Sequence, residues 1–213
     1  MKQKKRENLL ASVGLLTAFV LWTILVCNVD VQPIGPGGSK VGFATANSFL
    51  HRITGVHRCL YVMTDWLSLI PLGIAAGFAL LGLVQWIQRK KLAAVDRGII
   101  VLGGFYAVTV AVFALFEVLT VNYRPVLIDG VLEKSYPSST TVLVMCVMST
   151  ALMQFRDRIK NKRLQNYILA LMKMFSVFMI LGRFLSGVHW STDIIGGMLL
   201  SAGLIKMYMA ING

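Results

Sequence analysis

WLSLIPLGIAAGFALLGLVQW, Trp66 to Trp86, is a stretch of 21 residues without a charge. A helix needs about 20 mostly apolar residues to cross roughly 30 Å of hydrocarbon, so this stretch reads as a membrane span. Five more follow the same logic at about 9–27, 98–119, 135–155, 164–182 and 190–209. The third is uncharged as far as Phe116, and the fifth contains Lys173. The sixth is the weakest, since only Ile194 to Ile205 is continuously apolar; it spans if it starts near Trp190 and lets Lys206 reach the interface. The expectation is an all-α, polytopic bundle of six transmembrane helices forming one membrane domain over residues 1–213.

Composition excludes the other classes. Hydrophobic residues make up 56% of the 213 and charged residues 14%, with a mean hydropathy of +0.71. A soluble domain carries about a quarter charged residues, and low hydrophobicity is the signature of disorder. The net charge of +12 does not indicate nucleic acid, because the basic residues sit at the ends of apolar stretches. Cys27, Cys59 and Cys146 form no CxxC pair, which argues against a disulfide framework or a zinc site. The basic segment Met1 to Arg6 resembles the start of a signal peptide, but the apolar run after it is 19 residues long with no small-residue cleavage site, so it reads as a retained first span.

Loop charges orient the bundle. The amino terminus and the second and fourth connections carry four, four and five Lys or Arg, 13 in all, against six on the opposite side. Both termini are therefore expected in the cytoplasm of a multi-pass cell-membrane protein. The first outer connection, Val29 to Asp65, opens with the turn-rich Pro33 to Gly38 and continues with an amphipathic segment, Phe43 to Thr54. That segment reads as a helix lying at the membrane interface.

Polar residues gather at the outer ends of three helices, in Asn122 to Pro125, Glu133 to Thr141 and Gly182 to Asp193. His189 and Asp193 are four apart, as neighbours on one helix face would be. An Asp beside a His fixes its tautomer and leaves the other nitrogen to attack. Arg124 and Arg183 offer forked guanidinium groups suited to phosphate oxygens. Ser138, Ser139 and the backbone N–H groups beginning the fourth helix add donors where a helix end favours anions. Nucleophile, orienting acid and anion clamp together make a phosphoryl-transfer site that needs no metal and no cofactor.

The order and spacing of these residues resemble the membrane-bound type 2 phosphatidic acid phosphatase family, whose site is shared with vanadium haloperoxidases. That family shows Lys, six residues, Arg-Pro; then Pro-Ser-Gly-His; then Ser-Arg, five residues, His, three residues, Asp. Arg124-Pro125 matches the end of the first motif and Pro137-Ser138 half of the second. Arg183, His189 and Asp193 match the third, with Gly182 in place of Ser. The resemblance implies six helices, an extracytoplasmic site, and dephosphorylation of a lipid phosphate through a phosphohistidine. Two positions depart from it: Glu117 stands where the family has Lys, and Thr140 where it has the His that protonates the leaving alkoxide. A Thr hydroxyl is too weak an acid for that role.

A diphosphate leaving group needs little protonation, so a prenyl diphosphate suits such a site. A phosphatidate-type substrate needs another acid, for which His57 and His51 on the outer loop are candidates. Glu117 is expected to pair with Arg124, Arg183 or Lys134, since an acid within a span is costly alone. Two rivals share these residues: a degenerate relative that binds or translocates a phospholipid, and a phosphotransferase that passes the phosphoryl group to another alcohol.

Overall fold

The computed structural model describes residues 2–212. Among these residues eight α-helices follow in chain order: α1 Lys2–Asn28, α2 Ala44–Thr54, α3 Arg58–Leu67, α4 Leu69–Arg89, α5 Arg97–Val118, α6 Ser139–Arg158, α7 Lys162–Leu185 and α8 Ser191–Asn212. Among the described residues β-structure is limited to isolated bridges, such as Gln32 to Val41 and Tyr123 to Lys134. Helices α3 and α4 run on with only Ser68 between them, so the six expected spans correspond to six long helical units. Five are long and apolar enough to cross a membrane. Their outward sides carry a belt of exposed Leu, Ile, Val and Phe, the surface expected of a multi-pass membrane protein.

The exception by composition is α6, and the reason is its position. It lies among α4, α5, α7 and α8, and Val144, Cys146, Thr150 and Ala151 are wholly enclosed. A helix surrounded by helices packs through small and polar residues rather than long apolar ones, provided each polar group finds a partner. The Thr150 hydroxyl donates to the Cys146 carbonyl at 2.7 Å and meets the Tyr106 hydroxyl at 3.1 Å. Gln154 Nε2 donates to the Tyr208 hydroxyl at 2.6 Å. Helix α6 starts at Ser139 rather than at the expected 135, because Ser138 is its N-cap and accepts from the Thr141 N–H.

The span read as weakest, α8, is a full 22-residue helix. Half of its apolar window is buried, against 11–22% in the other four helices of this kind. Its sequence looked poor because its small residues permit close contact. A Cβ on Gly203 would come within 2.7 Å of the Leu16 side chain, and beside it the Ser12 hydroxyl donates to the Gly203 carbonyl at 2.8 Å.

Two other readings change. The first connection is shorter than supposed, because 58–65 is helical and belongs to α3. The apolar side of α2 does face outward, with Phe49 and Ile53 exposed, but its opposite side anchors it. The buried Asn47 donates to Thr192 Oγ1 at 3.0 Å and accepts from the Ser191 hydroxyl at 2.6 Å, tying α2 to the start of α8. Lys173, midway along α7, is exposed beside Leu171 and Met174.

Candidate active site

Three segments meet at one end of the bundle: the α5–α6 connection, the start of α6, and the α7–α8 connection. The last turns sharply after Ser186, with Gly187 at φ +68°. A Cβ at Gly187 would collide with the Gly55 carbonyl, so the position needs glycine both for its backbone conformation and for the close crossing. The α2–α3 connection holds the turn in place: the His57 N–H donates to the Ser186 carbonyl at 3.0 Å, and His51 Nε2 bonds the Gly187 carbonyl at 3.0 Å.

This turn delivers His189 just ahead of α8, not on the helix with Asp193 as the spacing suggested. Asp193 stands in the first turn of α8, where a carboxylate is favoured by the helix dipole and closes the exposed N–H groups. Its Oδ2 accepts from the Trp190 N–H at 3.0 Å, and its Oδ1 accepts from Asn122 Nδ2 at 3.1 Å. His189 Nδ1 lies 3.6 Å from Oδ2, beyond hydrogen-bond length, and has no other partner. On the opposite side of the ring, Arg124 Nη1 donates to Nε2 at 3.3 Å. A nitrogen that accepts from a guanidinium carries a lone pair, so the proton of the neutral ring belongs on Nδ1, facing Asp193. Burial holds the imidazole well below its ordinary range, at about 4, with Arg124 and Arg183 opposing Asp193. His189 is thus a free base at neutral pH.

Arg124 comes from a hairpin-like loop. Its N–H donates to the Glu133 carbonyl at 2.9 Å, and Asp129 (φ +48°) and Gly130 (φ +82°) make the turn. Its Nε sits 2.9 Å from Glu133 Oε2 but out of line for a hydrogen bond. Arg183, near the end of α7, is held by α3: Nη2 donates to Asp65 Oδ1 at 3.1 Å and Nη1 to Thr64 Oγ1 at 3.2 Å, and the Tyr61 ring lies 4.8 Å from the guanidinium carbon.

Both arginines line a cavity of about 340 Å³ with Ser139, Thr140, Asp65 and Ser68, and Leu72, Val110 and Phe113 form its apolar side. His189 lies behind Arg124 and does not line this space. Ser138 is fully buried and already engaged. Its oxygen accepts from the Thr141 hydroxyl at 3.0 Å, and its N–H donates to the Asp193 carbonyl at 3.1 Å, joining the starts of α6 and α8. Among the described residues no group of three His, Cys, Asp or Glu is placed to hold a metal ion.

Three expected participants lie elsewhere. His57 is exposed and bonds the Thr54 carbonyl at 2.8 Å. Glu117 is exposed in the last turn of α5, and its carboxylate makes no ion pair among the described residues. The helix ends one residue later, so the acid reaches the edge of the bundle and needs no partner. Lys134 donates to the backbone carbonyls of Glu117 and Val118. The acids that pair the arginines are instead Glu133 and Asp65. Asp65, Thr64 and Tyr61 were hidden in what read as a loop; the visible signal was an acid immediately before the uncharged run at Trp66. Asn122, two residues before Arg124, was equally visible but had no apparent role.

Residues 116–213 match the family model of the PAP2 superfamily. No curated protein sequence matches the chain. Among solved structures, the crystal structure of a transmembrane PAP2-type phosphatidylglycerolphosphate phosphatase from Bacillus subtilis superposes with a TM-score of 0.52 at 16% identity, covering 94% of each chain. The fold is that of a membrane PAP2 protein, and residues 116–213, which contain Arg124, Arg183, His189 and Asp193, carry the resemblance to the PAP2 superfamily.

Proposed function

We propose that this protein is a lipid phosphatase or diphosphatase that works through a phosphohistidine on His189, without a metal, at the outer face of the cell membrane, with both termini in the cytoplasm. The observation that carries this reading is the pairing of a neutral, buried His189, whose Nε2 faces a guanidinium, with a cavity that is cationic at one side and apolar at the other. Arg124 and Arg183 bind the phosphoryl oxygens, with Ser139 and the start of α6 adding donors. Leu72, Val110 and Phe113 receive the first carbons of the lipid. Arg124 Nη1 faces Nε2 at 3.3 Å, so an incoming phosphoryl group replaces the Arg124–His189 bond before attack.

In the first step the Nε2 lone pair forms a bond to the terminal phosphorus, and the bond from that phosphorus to the leaving oxygen, an anhydride bond in a diphosphate and an ester bond in a monophosphate, breaks with its electrons on the leaving oxygen. The Nδ1 proton stays on the ring, and Asp193 balances the charge that develops. In the second step water attacks phosphorus, the N–P bond breaks, and inorganic phosphate leaves with the ring neutral again. Thr140 at the cavity wall offers no acid for an alkoxide, which favours a leaving group that is itself a phosphate, as in a prenyl diphosphate. The same absence, together with Glu117 where the family has Lys, favours a non-hydrolytic binder or translocator of phospholipid. A phosphotransferase would differ only in the acceptor of the second step.

The deciding experiment measures phosphate release from a panel of prenyl diphosphates, phosphatidate and phosphatidylglycerolphosphate, with His189→Ala as control. The expected result is release that persists in EDTA and disappears with His189→Ala. No release from any member of the panel would overturn the hydrolase reading and favour the binding protein, and loss in EDTA would overturn the metal-free reaction.

A further inference from the structure

At the opposite end of the bundle from His189, α1, α6 and α8 leave a second cavity of about 460 Å³. Lys4 and Lys5 from the first turns of α1 and Arg156 from the last turn of α6 line it, against a single carboxylate, Asp157. None of the three cations has an ion-pair partner among the described residues. Three unpaired positive charges around one hollow repel one another and raise the local concentration of anions.

Depth identifies the anion. Asn8 is the residue before the apolar run 9–27, and Arg156 directly follows the run that ends at Phe155. The cavity therefore sits where the hydrocarbon gives way to the head-group layer, the level of lipid phosphates. Its inner wall is polar. Asn8 is 9% exposed, and its side chain has no hydrogen-bond partner among the described residues. The buried Tyr208 hydroxyl accepts from Gln154, which leaves its own proton to donate. Met153 and Met209 complete the lining with flexible apolar side chains that adapt to a glycerol or the start of a chain.

We propose that this cavity binds the phosphate group of an anionic lipid from the leaflet at this end of the protein, as a resident lipid and not as a substrate. Arg156 takes two phosphate oxygens through its fork, and Lys4 and Lys5 act as point charges beside it.

The test uses the full chain in detergent and follows lipid adducts by native mass spectrometry with thermal shift alongside. The probes are phosphatidylglycerol, phosphatidylcholine with the same chains, and inorganic phosphate. The wild type is expected to prefer phosphatidylglycerol over phosphatidylcholine, and the Lys4→Gln/Lys5→Gln/Arg156→Gln variant to bind phosphatidylglycerol about a hundredfold more weakly, the loss expected for three cations near a lipid surface. If the triple variant melts lower in phosphatidylcholine, Arg156→Gln alone decides, with an expected loss of about fivefold. Equal binding of the two lipids by the wild type, or undiminished phosphatidylglycerol binding by the variant, would overturn the proposal. Inorganic phosphate reproducing the full shift, with lipid adding nothing, would overturn the lipid assignment and leave a free-anion site.

Discussion

The substitution Thr140→His bears most directly on the chemistry. Thr140 is 5% exposed and lines the cavity of about 340 Å³ shared with Arg124 and Arg183. An imidazole at this position has open space ahead of it, so it avoids the cost of about 1–3 kcal/mol that overpacking a filled core would bring. Two guanidinium groups and one carboxylate, Asp65, face the same space. Their net positive charge disfavours the imidazolium, and an ordinary imidazole is already only about one-quarter protonated at pH 7. The new acid should therefore be most effective near pH 6. General acid catalysis is typically worth about 10²–10⁴-fold, and the net positive surroundings place the expected gain near the lower end, about 10²-fold. That gain should be confined to monophosphates, which leave as alkoxides, with diphosphates changing less than about threefold because their leaving group needs little protonation. Initial rates on a matched prenyl monophosphate and diphosphate, wild type against variant from pH 5.5 to 8, measure both effects. Equal wild-type rates on the two substrates, with no selective gain in a folded variant, would refute the reasoning, and another residue would have to supply the proton.

Gly187→Ala should cost about 1–3 kcal/mol from its left-handed backbone alone, with the clash against the Gly55 carbonyl adding to it; thermal unfolding in detergent would show it, together with lost phosphate release as His189 moves. Because the His189 imidazole is held at about 4, below its ordinary value, its free-base form persists under acid conditions. The acid limb of kcat/KM assigned to this nitrogen should fall near pH 4 rather than near 6.5, and a comparison with the substrate's own phosphate titration would isolate it. Cysteines at Asp129 and Lys160, in a chain lacking Cys27, Cys59 and Cys146, should differ in intact cells: an impermeant thiol reagent should label position 129 and spare 160, and the reverse pattern would invert the orientation.

The parts of the fold legible in the sequence were those that meet lipid. Helices α1, α4, α5 and α7 expose Leu, Val and Phe over long runs, and hydropathy responds to that. Helices α6 and α8 face protein instead, so Gly196, Gly197, Ser201 and Gly203 weakened a signal that close packing explains. Helix α3 was missed because Arg58, Tyr61, Thr64 and Asp65 look like a loop, although three of them hold Arg183. At the candidate site, Arg124, Arg183, His189 and Asp193 were legible as candidates from spacing and order. The reason His189 meets Asp193 was not, since it rests on a turn at Gly187 and a helix start rather than on a shared helix face. Glu133 and Asn122 were in view as polar residues, but pairing across the hairpin depends on a backbone register that no local pattern announces.

The enclosed, polar character of α6 has a consequence for how the protein is made. Insertion into a bilayer judges each segment by its cost of transfer from water to lipid, and Ser, Thr and Gln raise that cost. Helix α6 is the segment that profits least from such a transfer, and the partners that satisfy it along its length include Tyr208 of α8, which is synthesised after it. The start of α6, which carries the cavity-wall residues Ser139 and Thr140, is tied to α8 as well, through the Ser138 N–H and the Asp193 carbonyl, so the candidate site takes its final form only after α8 has joined α6 and is a joint property of segments that emerge at different times.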